Sequence, residues 1–137
     1  MLKNNKAFTL VELVIVIIIV AILSIVGVSV YRGYVARAMM SEAKALMGAV
    51  ERGEMILYSS QGQYHAVPEG TSYDEDLDID IRGNKYFTSF AVTVNSSEDG
   101  GTATAVTEGS GEAEGLSITL NFSEPGERAV WTEDMDK

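Results

Sequence analysis

The chain of 137 residues contains no cysteine, two prolines, one histidine and one tryptophan. Without cysteine there is no disulfide scaffold, no thiolate nucleophile and no thiolate metal site. With a single histidine, His65, any Ser-His-Asp arrangement or histidine metal site would have to be built around that one residue. It follows Tyr64 in a polar stretch and is expected at the surface without a catalytic role. Gly109-Ser-Gly111 lacks the Gly-x-Ser-x-Gly spacing of a nucleophile elbow, and no glycine-rich phosphate loop with lysine occurs. Enzymatic chemistry has no visible support, and no cofactor is expected. No proline precedes Pro68, which leaves the first half of the chain free to form an uninterrupted helix.

Charge is missing from one block and concentrated in another. No charged side chain occurs from Leu13 through Tyr31, a stretch of Val, Ile, Leu and Ala about long enough to cross a hydrocarbon core of ~30 Å as a helix. Lys3 and Lys6 make the first seven residues basic; four acids and four bases cancel over residues 8–68; residues 69–137 hold sixteen acids against four bases. All the net acidity of a chain with formal charge −10 therefore lies in its second half. An acidic surface repels phosphates, so nucleic acid is excluded as its partner.

The basic start and the apolar run resemble a secretory signal, but no small-x-small site follows the run, which is also longer than a usual h-region of ~7–15 residues. The apolar stretch is expected to be retained. Glu12 is a lone acid within an otherwise apolar stretch from Ala7 to Tyr31, and a carboxylate in a membrane helix needs a partner or an interfacial position. Two readings remain open. Glu12 lies at headgroup level and snorkels, or the chain is cut before Phe8 and a new α-amino group appears four residues from the acid.

Lys6-Ala-Phe-Thr-Leu-Val-Glu-Leu13, followed by the apolar run, resembles the N-terminal signal of type IV prepilins and the related pseudopilins: a small residue, then Phe-Thr-Leu-x-Glu. The resemblance implies cleavage between Ala7 and Phe8 by a prepilin peptidase, N-methylation of Phe8, and assembly into a helical homopolymer through an inner-membrane platform. It also implies that residues 1–7 are a cytoplasmic leader and that the precursor sits in the inner membrane before joining an extracellular pilus. Glu12 would pair with the Phe8 amine of a neighbouring subunit. Tyr31, Tyr34 and Arg37, placed as in many major pilins, would pack in the filament or on the head.

The periodicity beyond the apolar run predicts one helix from about Phe8 to about Ser59, on the order of 80 Å long. Val35, Met39, Ala43, Leu46, Val50 and Leu57 recur at helical spacing, with Arg37, Glu42, Lys44, Glu51 and Arg52 between them, so this half of the helix is one-sided. Gly27 and Gly33 are its expected points of flexibility, where the segment around Gly27 either unwinds on packing or is a tolerated defect. Gly48 and Gly53 are expected to admit a close strand or loop. Breakers fill residues 59–85, which are expected to be a loop. Tyr86, Phe90, Val92 and Val94 read as one strand, Leu116, Ile118, Leu120 and Phe122 as another, with Thr102–Thr107 a third and Ala129–Thr132 a fourth.

The expected fold is thus α+β, a type IV pilin arrangement with one long N-terminal helix whose apolar first half precedes a half packed on an antiparallel sheet of three to four strands. The expected domains are a leader 1–7, a membrane and filament-core segment 8–34, and a head 35–137 with its sheet at 86–132. Asp74, Glu75, Asp76, Asp78 and Asp80 form the densest acidic cluster. Asp76-Leu-Asp-Ile-Asp-Ile81 alternates strictly and reads as an edge strand with its charges in water; a calcium site at Asp74, Asp76 and Asp78 is the competing reading. The expected function is a major pilus subunit. A type II secretion pseudopilin is the alternative, and a membrane-anchored binding domain that never assembles is the remaining class.

Overall fold

The computed structural model describes residues 7–95, 101–123 and 126–135. Contacts divide the chain into two units, Met1–Val35 and Ala36–Lys137. A helix α1 (Leu10–Gln61) begins in the first and ends in the second.

Within the first unit every described side chain from Ala7 to Tyr34 is exposed. An 18-residue window of α1 is apolar enough to cross a membrane, and none of it is buried. Ser24 does not leave its hydroxyl unmatched there, because Oγ donates to the Val20 carbonyl at 2.7 Å.

In the second unit the remainder of α1 buries Met39, Met40, Ala43, Leu46, Met47, Val50, Glu51 and Glu54, a stripe at three- and four-residue spacing. Opposite it lies a five-stranded antiparallel sheet of β1 (Val67–Thr71), β4 (Phe90–Asn95), β5 (Thr102–Glu108), β6 (Leu116–Phe122) and β7 (Val130–Met135), in that spatial order. The central strand β5 turns small side chains inward, Ala103, Ala105 and Thr107, while β4 contributes Phe90 and Val92 and β6 contributes Leu116, Ile118, Leu120 and Phe122. Large residues on the neighbours and small ones between them let one helix lie over the sheet. A two-stranded ribbon of β2 (Tyr73–Asp74) and β3 (Ile79–Asp80) stands apart from this sheet.

The expected α+β arrangement, a helix over an antiparallel sheet, is what forms, with four differences. The sheet has five strands rather than three to four, because β1 arises inside the segment expected to be loop. Pro68 disguises it, yet a proline is tolerated on an edge strand, and the β1–β4 register is irregular between Val67 and Thr71. Tyr86 lies outside β4, which starts at Phe90. The last strand is longer than expected, running to Met135 and paired along β6 from Asn121 to Leu116. Asp76–Ile81 is not one edge strand: Leu77, Ile79 and Ile81 do point inward, but residues 75–78 form a turn with Asp78 at φ 54° before the short β3.

Glu51, one of the charged residues between the apolar positions of the helix, is buried. Its Oε1 accepts from Arg128 Nε at 3.3 Å and its Oε2 from the Trp131 indole N–H at 3.3 Å. Lys44 adds an ion pair with Glu133 at 3.0 Å, so β7 is tied to α1 by polar groups. Gly53 admits the close approach expected of it, whereas Gly48 does not require one. A Cβ at Gly53 would lie 3.1 Å from the Leu77 carbonyl oxygen, and one at Gly48 would meet Trp131 at 4.0 Å.

Candidate functional site

The first functional segment is the start of α1. Thr9 is its N-cap: the Thr9 carbonyl accepts from the Leu13 N–H at 3.3 Å, and Thr9 Oγ1 accepts from the Glu12 N–H at 3.3 Å. Glu12 returns the favour, its Oε2 accepting from the Thr9 N–H at 2.9 Å and from the Thr9 hydroxyl at 2.8 Å. This is a capping box, and it places a negative charge where the helix macrodipole favours one. Both bonds from Thr9 use one oxygen of Glu12. Thr9 belongs to the Phe-Thr-Leu-x-Glu motif, but its capping role is not among the sequence expectations, although Thr-x-x-Glu before an apolar run is a recognisable signal.

Phe8 is 85% exposed, and Ala7, Gly27, Gly33 and Arg37 are exposed as well. Tyr31 and Tyr34 are exposed at 69% and 65%. Residues 1–6 of the expected leader lie outside the described residues.

The second segment is the loop side of the head. His65 is half-buried rather than a free surface residue, and it meets two of the three aspartates of the calcium reading. Its Nε2 lies 3.3 Å from Asp74 Oδ2 and 3.6 Å from Asp76 Oδ2. Asp78 is not among the converging groups; His65 takes the third place. Asp74 is oriented from its other oxygen, Oδ1 accepting from the Leu77 N–H at 3.0 Å.

Beneath this loop Glu54 is fully buried, its Oε2 accepting from the His65 backbone N–H at 2.9 Å. Its Oε1 has no hydrogen-bond partner among the described residues. Burial pushes the Glu54 carboxyl up to about 7, against the pull of the His65 N–H and the His65 charge and with a further push from Asp74. No motif marked Glu51 or Glu54 in advance, since their partners come from far along the chain.

The profile describing the prokaryotic N-terminal methylation motif matches residues 2–28. Fimbrial protein EcpC of Eikenella corrodens is 36% identical over 117 residues, which are 85% of this chain and 72% of that protein. A fimbrial protein of Pseudomonas aeruginosa is 33% identical over 141 residues, with 95% of this chain and 85% of the relative covered. A fimbrial protein of Neisseria meningitidis is 39% identical over 88 residues, and the chain spans half the length of that relative. No solved structure matches. A methylation motif on an exposed apolar helix, followed in the chain by a helix-on-sheet head, is the arrangement of the pilin class. The chain belongs to the type IV pilin family of fimbrial proteins, structural subunits rather than enzymes.

Proposed function

We propose that this pilin is a major subunit of a type IV pilus, cut between Ala7 and Phe8 by a prepilin peptidase, N-methylated at Phe8 and added to a homopolymer by an inner-membrane platform. The observation that carries the reading is the likeness to the Pseudomonas fimbrial protein along 95% of this chain, with the apolar segment from Ala7 to Tyr34 exposed in the single subunit. Such a surface has two successive solvents, lipid before assembly and other subunits after it. Residues 8–34 form the membrane and core segment and residues 35–137 the outer head.

Glu12 sets the register. An amine and a carboxylate ~4 Å apart attract by about 4 kcal/mol at an effective dielectric near 20, before desolvation is charged against the pair. The Phe8 amine of one subunit and Glu12 of the next each lose water on assembly, so each needs the other. Tyr31, Tyr34 and Arg37, exposed in the monomer, become packing surface between subunits, and Gly27 and Gly33 are where the helix adapts.

Electron microscopy of shear fractions together with N-terminal mass analysis tests the proposal. Long surface fibres beginning with methylated Phe8 support it. Methylation without native surface fibres points instead to a secretion pseudopilus, and an unprocessed terminus without polymer to a membrane-anchored binding domain.

A further inference from the structure

We propose that His65, Asp74 and Asp76 form a binding site for one divalent transition-metal ion of the zinc class, which ties the loop after α1 to the β2–β3 ribbon. The three donor atoms lie within 4.8 Å of one another. Nε2 stands 3.3 Å and 3.6 Å from the two carboxylate oxygens. A charge-assisted N–H···O bond draws its atoms to ~2.7–2.9 Å, whereas ligands bound at ~2.0–2.2 Å around a tetrahedral or octahedral ion stand roughly 3.0–3.6 Å apart. The two spacings from Nε2 are those of ligand edges. One Nε2–H shared between two oxygens makes a weakened three-centre bond, while one cation satisfies both in full.

The surroundings carry a second indication. Glu54 has no exposed surface, and one of its oxygens holds the His65 backbone N–H. The other oxygen is a buried acceptor with no donor among the described residues. Three protein ligands leave at least one coordination position for solvent, and the unmatched acceptor belongs to the residue that holds the His65 backbone. The side chains of His65 and Asp76, 30% and 69% exposed, leave the approach open.

The donor set selects the ion. Two carboxylates and a neutral imidazole offer a charge of −2, matching a divalent cation. Calcium and magnesium favour shells made of oxygen, and the imidazole nitrogen in place of Asp78 moves the preference to zinc, cobalt or nickel. Zinc imposes no geometric preference through its d-electrons and binds both nitrogen and carboxylate ligands, so it is the best probe.

The test is a zinc titration of the full chain in detergent after chelator treatment, read by calorimetry and by the melting temperature. The expected result is one zinc per chain, a raised melting temperature, and at least a tenfold loss of affinity in His65→Gln and Asp76→Asn. Asp76→Asn alters an exposed side chain, and an unchanged far-UV spectrum without metal shows that it still folds. Cobalt bound in place of zinc should give visible absorption bands that vanish in both variants. Zinc binding that is unaltered by both substitutions, or a melting shift given equally by calcium and lost in the same variants, overturns the assignment.

Discussion

Glu42 Oε1 accepts the backbone N–H of Phe87 at 2.7 Å across 45 positions of the chain. The same oxygen takes the Tyr86 N–H at 2.7 Å, and Oε2 takes the Lys85 N–H at 3.1 Å. One carboxylate thus closes three successive backbone donors of the segment leading into β4. Burial works against the charge, but the N–H groups of Phe87, Tyr86 and Lys85 and the Lys85 ammonium hold its pKa below the usual carboxylate value.

Glu42→Ala should cost about 3 kcal/mol at neutral pH, because part-buried N–H groups lose a charged acceptor. The sign with pH follows from the lowered value. The contribution is complete above the ordinary carboxylate value of 4.5 and is lost as pH falls through the lower value of the folded state. Urea denaturation followed by Trp131 fluorescence should show the gap between wild type and variant narrowing in acid. A gap that is constant with pH would mean that the charge contributes nothing.

Two glycines on one helix should answer alanine in opposite directions. At Gly53 the new methyl would stand 3.0 Å from Leu77 Cδ2 and 3.1 Å from the Leu77 carbonyl oxygen, so strain of ~1–3 kcal/mol exceeds the ~1 kcal/mol gain in helix propensity. At Gly48 the nearest atom is Arg52 Nη1 at 3.5 Å, an ordinary contact, and the propensity gain should survive. Melting temperatures of Gly53→Ala and Gly48→Ala check this, with the first lowered and the second raised.

The buried Glu51 should hold the last strand in place. Glu51→Ala removes the acceptor of both Arg128 and Trp131 and should cost about 2 kcal/mol. Hydrogen exchange reads the location: protection should fall along Val130–Met135 before it falls in β5. Uniform loss across the sheet would contradict a local role.

Capping and charge can be separated at the start of α1. Glu12→Gln keeps an oxygen that can close the box with Thr9 but loses the charge, whereas Thr9→Ala loses the cap and keeps the charge. If pairing with the Phe8 amine drives assembly, Glu12→Gln abolishes filaments while Thr9→Ala retains them, both with normal membrane insertion. The reverse order in shear fractions would assign the requirement to the helix cap.

Much of the fold was legible because it depends on local pattern. Continuous α1 follows from the lack of proline before Pro68, and β6 from the alternation of Leu116 through Phe122 with Ser117, Thr119 and Asn121. What was not legible depends on pairing across distance. β1 is hidden by Pro68 and Gly70, which mark a break locally but sit without cost at a sheet edge. Glu51 and Glu54 look like solvent-facing residues until Arg128, Trp131 and the His65 N–H arrive from elsewhere. Asp74 and Asp76 were visible as an acidic run, but the left-handed turn at Asp78 that steers them toward His65 was not.

The two margins of the sheet bear on how such a subunit lives beside its copies. β1 offers an outer margin interrupted by Pro68 and an irregular register, and β7 offers one carrying Glu133 and Asp134. Neither makes a good template for another strand: the first lacks a donor, and the second repels its own likeness. Crowded heads are thereby discouraged from stitching together edge to edge into cross-β aggregates. In the proposed filament, order among subunits falls instead to the apolar helix surface exposed from Ala7 to Tyr34.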